Sequence, residues 1–144
     1  MIVCDTGPLV AAAINDDARH RECVELFTGL HRTGRALLVP GTVAAEVGYL
    51  LARAGGPRVE SQFLTSLADG TLRPVDLTPD DYRRAGELVL VYENLPLGTT
   101  DATVVAVCER LRLTELASLD QLSDDRCGAR QFRRDGNESQ VAGG

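Results

Sequence analysis

The alternation of short apolar runs with helical patterns is the feature that most constrains how this chain can fold. Residues 2–4, 36–39 and 114–118 form short, largely apolar runs, which are typical of strands buried on both faces. Helical patterns separate these runs, as parallel strands require of their crossover connections. The sequence therefore predicts an α/β fold, a three-layer α/β/α sandwich with a central parallel sheet, in which a final strand after residue 120 stays in doubt.

Turn and capping residues set the predicted boundaries. Pro8 favours a helix start, the pair Gly55-Gly56 ends a helix that begins near residue 42, and Thr78-Pro79 begins another. A short strand is also predicted over 71–75. The predicted helices span 8–14, 18–30, 42–54, 57–70, 79–92 and 99–112.

Length and polarity bound the domain organisation and the compartment. The chain has 144 residues, which fits one domain, here assigned to 1–130. The segment 131–144 is polar and is expected to be a disordered tail. No apolar run approaches the ~18 residues that a membrane span needs, and the first residues lack the basic start of a secretory signal. We therefore predict a cytoplasmic protein with no membrane partner.

Charge and cysteine usage exclude several classes of site. Acidic residues number 21 and basic residues 15, a net charge of −6, which argues against nucleic-acid binding by bulk electrostatics. Every basic residue is Arg, so chemistry that needs a Lys amine, such as a Walker-A phosphate site or a Schiff base, is excluded. The four cysteines have no paired spacing, and we predict buried or inert thiols rather than a zinc site.

Four acidic residues fall where a parallel sheet places its sites, at or near the carboxyl ends of strands. Each has an ordinary explanation by itself: a turn or cap, a helix dipole, or a solvated surface position. Together they favour a site for Mg²⁺ or Mn²⁺, because crowded carboxylates need a cation and hard oxygen ligands suit these ions. Hydroxyls at Thr6, Thr99, Thr100 and Ser118 adjoin them. The four acids are Asp5, Glu46, Asp101 and Asp120.

Four segments carry a resemblance to a known family. In order, they are 1–10 (MIVCDTGPLV), 45–47 (AEV), 97–102 (LGTTDA) and 117–120 (ASLD). Their order and spacing resemble the successive motifs of PIN-domain proteins, and in particular the VapC-type toxin ribonucleases of bacterial toxin–antitoxin pairs.

The resemblance implies an Mg²⁺- or Mn²⁺-dependent endoribonuclease that hydrolyses RNA, with tRNA as one candidate substrate, by means of a metal-activated water. It also implies neutralisation by a VapB-type antitoxin and a homodimeric state. The family roles fall on Asp5, Glu46, Asp101 and Asp120 as catalytic and metal-binding residues. Thr6 and Thr100 are the implied supporting hydroxyls.

The chain departs from the family pattern after Asp120, where a polar, Arg-rich segment follows. Whether Asp124 joins the acidic site is left open. Several arginines are candidate RNA contacts, although a solvated surface charge is the favoured explanation for each. These are Arg19, Arg21, Arg110, Arg112, Arg126, Arg130, Arg133 and Arg134.

Two other functions are considered. A haloacid-dehalogenase-like phosphatase also begins with an Asp after its first strand, but it needs a second Asp two residues later, where Gly7 stands. The alternative that stays open is a catalytically inactive PIN-like protein that binds an antitoxin or RNA.

Overall fold

A computed structural model describes residues 1–95 and 97–119, together with the backbone of 128–131. The strands are β1 (Ile2–Cys4), β2 (Leu37–Pro40), β3 (Arg73–Val75), β4 (Glu115–Ser118) and β5 (Gly128–Gln131). The helices are α1 (Thr6–Ala13), α2 (His20–Arg32), α3 (Gly41–Ala68), α4 (Pro79–Val91) and α5 (Thr99–Arg110).

The strands form one sheet in the order β3-β2-β1-β4-β5. The first four are mutually parallel, with Val3 opposite both Leu38 and Leu116. Strands β1 and β2 are buried along their whole length, as their continuous apolar sequences predict. The prediction of an α/β/α sandwich around a parallel sheet is confirmed.

The final strand, left in doubt by the sequence, is β5, and it pairs antiparallel with β4. Its polar residues give no alternating or apolar strand pattern, which is why the sequence did not predict it. β5 ends on Gln131, a residue that the sequence analysis assigned to the tail. Residues 132–144 lie outside the described residues, so the domain boundary and the disordered tail stay predictions.

Helix α3 contains the break that the glycine pair predicts. Gly56 has φ 79°, in the left-handed region that favours glycine, and Pro57 follows it. The two predicted helices therefore follow one another within Gly41–Ala68 and are interrupted at this residue. The first of them buries Val43, Val47 and Leu51 against the sheet.

Helices α4 and α5 pack together through an ion pair at the sheet's flank. Asp81, in the first turn of α4, is 2% exposed, and Arg110 Nε donates to both of its carboxylate oxygens at 3.0 Å. The Thr78 N–H donates to Asp81 Oδ2 at 2.9 Å, and the Asp81 N–H donates to Thr78 Oγ1 at 3.2 Å. This capping box fixes the start of α4 where the sequence predicts it.

The thiols and the helix lengths agree with the sequence analysis as far as the structure describes them. Cys4, Cys23 and Cys108 are buried and form no disulfide bond within the described part of the chain, whereas Cys127 lies outside the described residues. Burial, assisted by the charge of Asp5, raises the pKa of both Cys4 and Cys108 to about 12. These two thiols are therefore protonated and unreactive at neutral pH.

Among the described helices, none combines the length and the apolarity that a bilayer span requires.

Candidate active site

The candidate site lies where the direction of strand addition reverses. From β1 the chain adds β2 and then β3 on one side, and it then crosses to place β4 on the other side of β1. In open parallel sheets, ligands bind beyond the carboxyl ends of the strands at such a reversal. Asp5 directly follows β1 at this point, and its N–H donates to Ala117 O in β4 at 2.9 Å.

Asp5 also begins helix α1. Its Oδ1 accepts the N–H of Thr6 at 2.8 Å, so the helix starts at Thr6 rather than at Pro8, the predicted start. Asp5 therefore does cap a helix, which is the ordinary explanation that the sequence analysis considered for it. Capping uses one of several acceptor positions on the carboxylate and leaves others for a ligand.

Two other predicted acids act on Asp5. Burial raises the pKa of Asp5, the N–H of Thr6 lowers it, and the negative charges of Asp101 and Glu46 raise it further. A hydrogen bond with Ser118 also lowers it, and the net pKa lies above the usual value for Asp. The structure thus brings three of the four predicted acids into one electrostatic environment, with no arginine among the causes of the shift.

Hydroxyl groups border these carboxylates. Thr6 is only 8% exposed, and its Oγ1 has no hydrogen-bond partner among the described residues. A buried hydroxyl without a partner is uncommon in folded proteins and calls for a ligand, an ion or a water. Ser118, at the end of β4, is buried beside Asp5. Both positions were noted in the sequence as neighbours of the acids.

A pair of threonine hydroxyls, which the sequence analysis missed, joins the helices that carry Glu46 and Asp101. Thr103 is fully buried, and its Oγ1 donates to Thr100 O at 2.8 Å. Since that donation uses its only proton, the Thr42 hydroxyl donates to Thr103 Oγ1, at 2.7 Å. This contact holds the first turn of α3 against the N-terminal part of α5. Its signal in the sequence was a hydroxyl residue inside the otherwise apolar run 102–108.

The donor chemistry of the site suits a hard divalent cation, but the described residues do not form a closed set of ligands. Carboxylate and hydroxyl oxygens are the ligands that Mg²⁺ and Mn²⁺ prefer, and a cation would relieve the repulsion acting on Asp5. Within 1–95 and 97–119, no three Asp, Glu, His or Cys side chains are grouped closely enough to hold a metal. Glu46 and Asp101 are solvent-exposed, and Thr100 contributes its carbonyl to the contact with Thr103.

The remaining predicted acids, Asp120 and Asp124, lie outside the described residues. Leu119, the residue before Asp120, nevertheless packs closely against Gly7. A Cβ atom added to Gly7 would lie 2.9 Å from Leu119 Cδ1, so glycine allows the first turn of α1 to pack against the end of β4. This contact brings the chain leading to Asp120 beside Asp5.

The candidate RNA-contacting arginines divide into paired and unpaired groups. Arg110 is occupied by Asp81, and Arg19 forms an ion pair with Glu22 at 3.1 Å. Arg21 and Arg112 are exposed and form no ion pair with any described carboxylate. The side chains of Arg126, Arg130, Arg133 and Arg134 lie outside the described residues.

A separate cavity of about 750 Å³ lies away from the acids. Helices α1, α2 and α3 and the start of β2 enclose it, with largely apolar walls that include Leu9, Phe27 and Phe63. His31 and Arg32 also line it. None of the predicted site residues contributes to this cavity, so it is a different surface from the candidate active site.

Comparison with known proteins agrees with this geometry. The sequence model of the PIN domain matches residues 2–125. The ribonuclease VapC26 of Mycobacterium tuberculosis is 29% identical, over 83% of this chain and 87% of that protein.

Two solved structures have the same fold. One is VapC20 of Mycobacterium tuberculosis, a toxin that cleaves the sarcin-ricin loop, with a TM-score of 0.74, 22% identity, and coverage of 84% of this chain and 91% of that one. The other is VapBC2 from Rickettsia felis, bound to a promoter DNA fragment, with a TM-score of 0.60, 18% identity, and coverage of 83% and 89% respectively. The match of the PIN-domain model to residues 2–125, most of the chain, establishes that this chain belongs to the PIN domain family.

Proposed function

We propose that this protein is a metal-dependent endoribonuclease and the toxin of a VapBC-type toxin–antitoxin pair. The observation that carries the proposal is the environment of Asp5, at the reversal point of the sheet. Its pKa is raised by burial and by the charges of Asp101 and Glu46, beside the unpartnered hydroxyl of Thr6. Similarity to the ribonuclease VapC26 supports RNA as the substrate class.

Asp5, Glu46 and Asp101, with Asp120, two residues after β4 in the sequence, are the residues we propose to hold Mg²⁺ or Mn²⁺. Such an ion supplies positive charge for the phosphate and acidifies a coordinated water. Thr6 supports the site in two ways: its N–H fixes one oxygen of Asp5 at 2.8 Å, and its hydroxyl offers a buried donor. Ser118 restrains the same carboxylate from β4. Asp5 is thus oriented by the start of α1 and by the end of β4 before any substrate arrives.

The proposal is tested by incubating the purified chain with total RNA and with tRNA, in Mn²⁺, in Mg²⁺ and in a chelator. The Asp5→Asn variant should lose cleavage. Asp16→Asn is the matched control, because Asp16 is an exposed acid in the turn after α1, and it should cleave as well as the parent. Metal binding is measured separately by titrating Mn²⁺ calorimetrically into both variants, and only Asp5→Asn should weaken it.

The inactive alternative has one observation in its favour, since the described residues alone do not form a three-ligand cluster. It predicts a folded chain that cleaves no RNA with either metal. If Asp5→Asn and Asp16→Asn bind Mn²⁺ equally and neither the parent nor the variants cut RNA, the nuclease proposal is wrong and the binding function replaces it.

We propose a VapB-type antitoxin as the protein partner, supported by the fold shared with VapBC2. The apolar cavity between α1, α2 and α3 is the surface we assign to it. Its apolar walls suit an amphipathic segment, and His31 and Arg32 suit an acidic side chain on that segment. Co-expression with the antitoxin should give a complex that Arg32→Glu weakens and that Arg21→Glu, a change of exposed Arg in the same helix, leaves intact.

A homodimer is also proposed. Leu90 and Val91, at the end of α4, are 71% and 67% exposed, and Leu95 follows them at 63%. Exposed apolar side chains of this kind are common at interfaces between copies of a chain. Sedimentation of the parent should give a dimer, and replacement of Leu90 and Val91 by Ser should give a monomer.

A further inference from the structure

One face of α3 carries a row of polar and aromatic residues that begins at the candidate active site. At about 100° per residue, positions 42, 46, 49 and 53 fall within a sector of about 60° of the helix surface. The buried residues Val43, Val47 and Leu51 occupy a different sector. The row is Thr42, Glu46, Tyr49 and Arg53.

The row has a defined direction. Thr42, at its start, contacts Thr103 of α5, and Glu46 acts on Asp5, so this end belongs to the acidic site. Tyr49 and Arg53 lie further along the axis, about 4.5 Å and about 10.5 Å from Glu46 at 1.5 Å per residue. These separations are comparable with the spacing of one or two nucleotides in an extended strand.

Tyr49 and Arg53 support one another. The Arg53 guanidinium carbon lies 5.7 Å from the centre of the Tyr49 ring, and Arg53 Nη1 donates to the Tyr49 hydroxyl at 3.0 Å. Tyr49 is nevertheless 60% exposed, which leaves ring surface for a further stacking partner. No described carboxylate forms an ion pair with Arg53, so its charge is not neutralised within the described part of the chain.

We infer that Tyr49 and Arg53 form a subsite for single-stranded RNA next to the acidic site, in which the ring stacks on a nucleobase and the guanidinium contacts a phosphate. Aromatic rings stack on any base, and arginine contributes both cation–π and phosphate contacts. In a chain with a net charge of −6, an unneutralised arginine beside the acids gives the local attraction that the overall charge does not. The inference rests on the proposed function.

The test measures RNA binding separately from RNA cleavage. All variants are made in the full Asp5→Asn chain, and binding to a labelled single-stranded oligonucleotide is followed by fluorescence anisotropy. Tyr49→Ala should weaken binding about tenfold. Tyr49→Phe should keep most of the affinity, because it keeps the stacking surface. Arg53→Gln should weaken binding and lower the slope of log affinity against log salt by about 0.7, the value for one phosphate contact on a single strand.

Helix α4 supplies the matched controls. Tyr82 is 56% exposed, and its neighbour Arg83 is also exposed. Asp81, in the same helix turn, pairs with Arg110. Arg110 lies at the C-terminal end of α5, whereas Asp101 lies at the N-terminal end. Tyr82→Ala and Arg83→Gln should therefore bind RNA as the Asp5→Asn chain does. Equal affinities for Tyr49→Ala and Tyr82→Ala would overturn the inference, as would the absence of RNA binding by the Asp5→Asn chain.

The same surface could instead bind a second copy of the chain, and the experiment distinguishes this. Sedimentation of each variant is measured at the concentrations used for RNA binding. If Tyr49→Ala changes the oligomeric state and its loss of RNA affinity follows that change, the surface is a protein interface and the inference is overturned. If RNA binding depends on Tyr49 while no metal-dependent cleavage is found, the subsite stands and the nuclease proposal fails.

Discussion

Asp5 and Asp81 are both carboxylates at the start of a helix, yet their surroundings move their pKa values in opposite directions. Burial and the charges of Asp101 and Glu46 raise the pKa of Asp5 above its usual value. Burial also acts to raise the pKa of Asp81, but hydrogen bonds from Arg110 and Thr78 and the charge of Arg110 bring it below its usual value. Asp81 thus has the positive charge of Arg110 beside it, whereas Asp5 has the negative charges of Asp101 and Glu46 near it.

The difference separates a structural carboxylate, Asp81, from Asp5, the carboxylate that we propose to be functional. Asp81 joins α4 to α5 and is satisfied by the folded chain itself. Asp5 costs the fold stability, because its ionised form is buried beside two other acids. Such a cost is typical of sites whose charge is balanced by a ligand. Each of the following experiments would break or sharpen this contrast.

Asp5→Asn should have the largest effect, a loss of RNA cleavage of about a hundredfold or more, because the ligand set and the charge balance are both changed. The same variant should unfold at a higher urea concentration than the parent, since Asn keeps the cap on α1 without the buried charge. Cleavage assays and urea unfolding measure the two effects. An Asp5→Asn variant that is less stable than the parent would contradict the claim that the ionised Asp5 lowers the stability of the fold.

Asp81→Asn should lower the free energy of unfolding by about 2 kcal/mol, because it leaves Arg110 facing a neutral amide. The value is below that of a fully buried pair, since the Arg110 side chain is 33% exposed. Urea denaturation measures it. The matched control is Asp80→Asn, in the same helix turn, whose exposed pair with Arg83 should contribute under about 0.5 kcal/mol. Equal losses in the two variants would mean that Asp81 has no special role.

Thr103→Val should lower stability by about 1 kcal/mol, since it removes a buried hydroxyl that bonds both Thr42 and the Thr100 carbonyl. We also expect a several-fold loss of cleavage, because α3 and α5 carry Glu46 and Asp101. Thr103→Ser should recover the activity. Thr65→Val is the control, because the Thr65 hydroxyl donates to Ser61 O within an exposed part of α3. Unchanged cleavage in Thr103→Val would show that the site does not depend on this contact.

The smallest effect is in the pH dependence of stability. The pKa of Asp81 is lower in the folded chain than in the unfolded one, so its contribution is present above pH ~4, the usual unfolded value, and is lost as the pH falls through the folded value. The difference in urea midpoint between the parent and Asp81→Asn should therefore shrink between pH 5 and pH 3. A difference that stays constant with pH would assign the effect to shape rather than to charge.

The sequence predicted the elements whose signals are local. The continuous apolar runs gave β1 and β2, the Thr78 cap gave the start of α4, and Gly56 gave the interruption in α3. The charges of Asp101 and Glu46, which were predicted to share a site with Asp5, raise the pKa of Asp5. Their neighbourhood was predictable because parallel strands end at one edge of a sheet.

The features that the sequence did not predict depend on contacts between distant segments. The Thr42–Thr103 contact joins two helices, and nothing near either residue specifies the other. Strand β5 is polar and is specified by its pairing with β4 rather than by a pattern of its own. The spacing of Thr42, Glu46, Tyr49 and Arg53 along α3 can be read from the sequence. Which end of this row lies at the acidic site depends on the contact of Thr42 with Thr103 in α5.

The close packing of Gly7 against Leu119 has a consequence for when the site can form. The carboxylate after β1 is completed by a segment near the other end of the described chain, through the pairing of β1 with β4 and the hydrogen bond from Asp5 to Ala117. Contacts between such distant segments close late, after the loops between them have been ordered. During translation, the acidic site therefore stays incomplete until β4 has left the ribosome. Under the proposed function, RNA cleavage therefore requires a nearly finished domain.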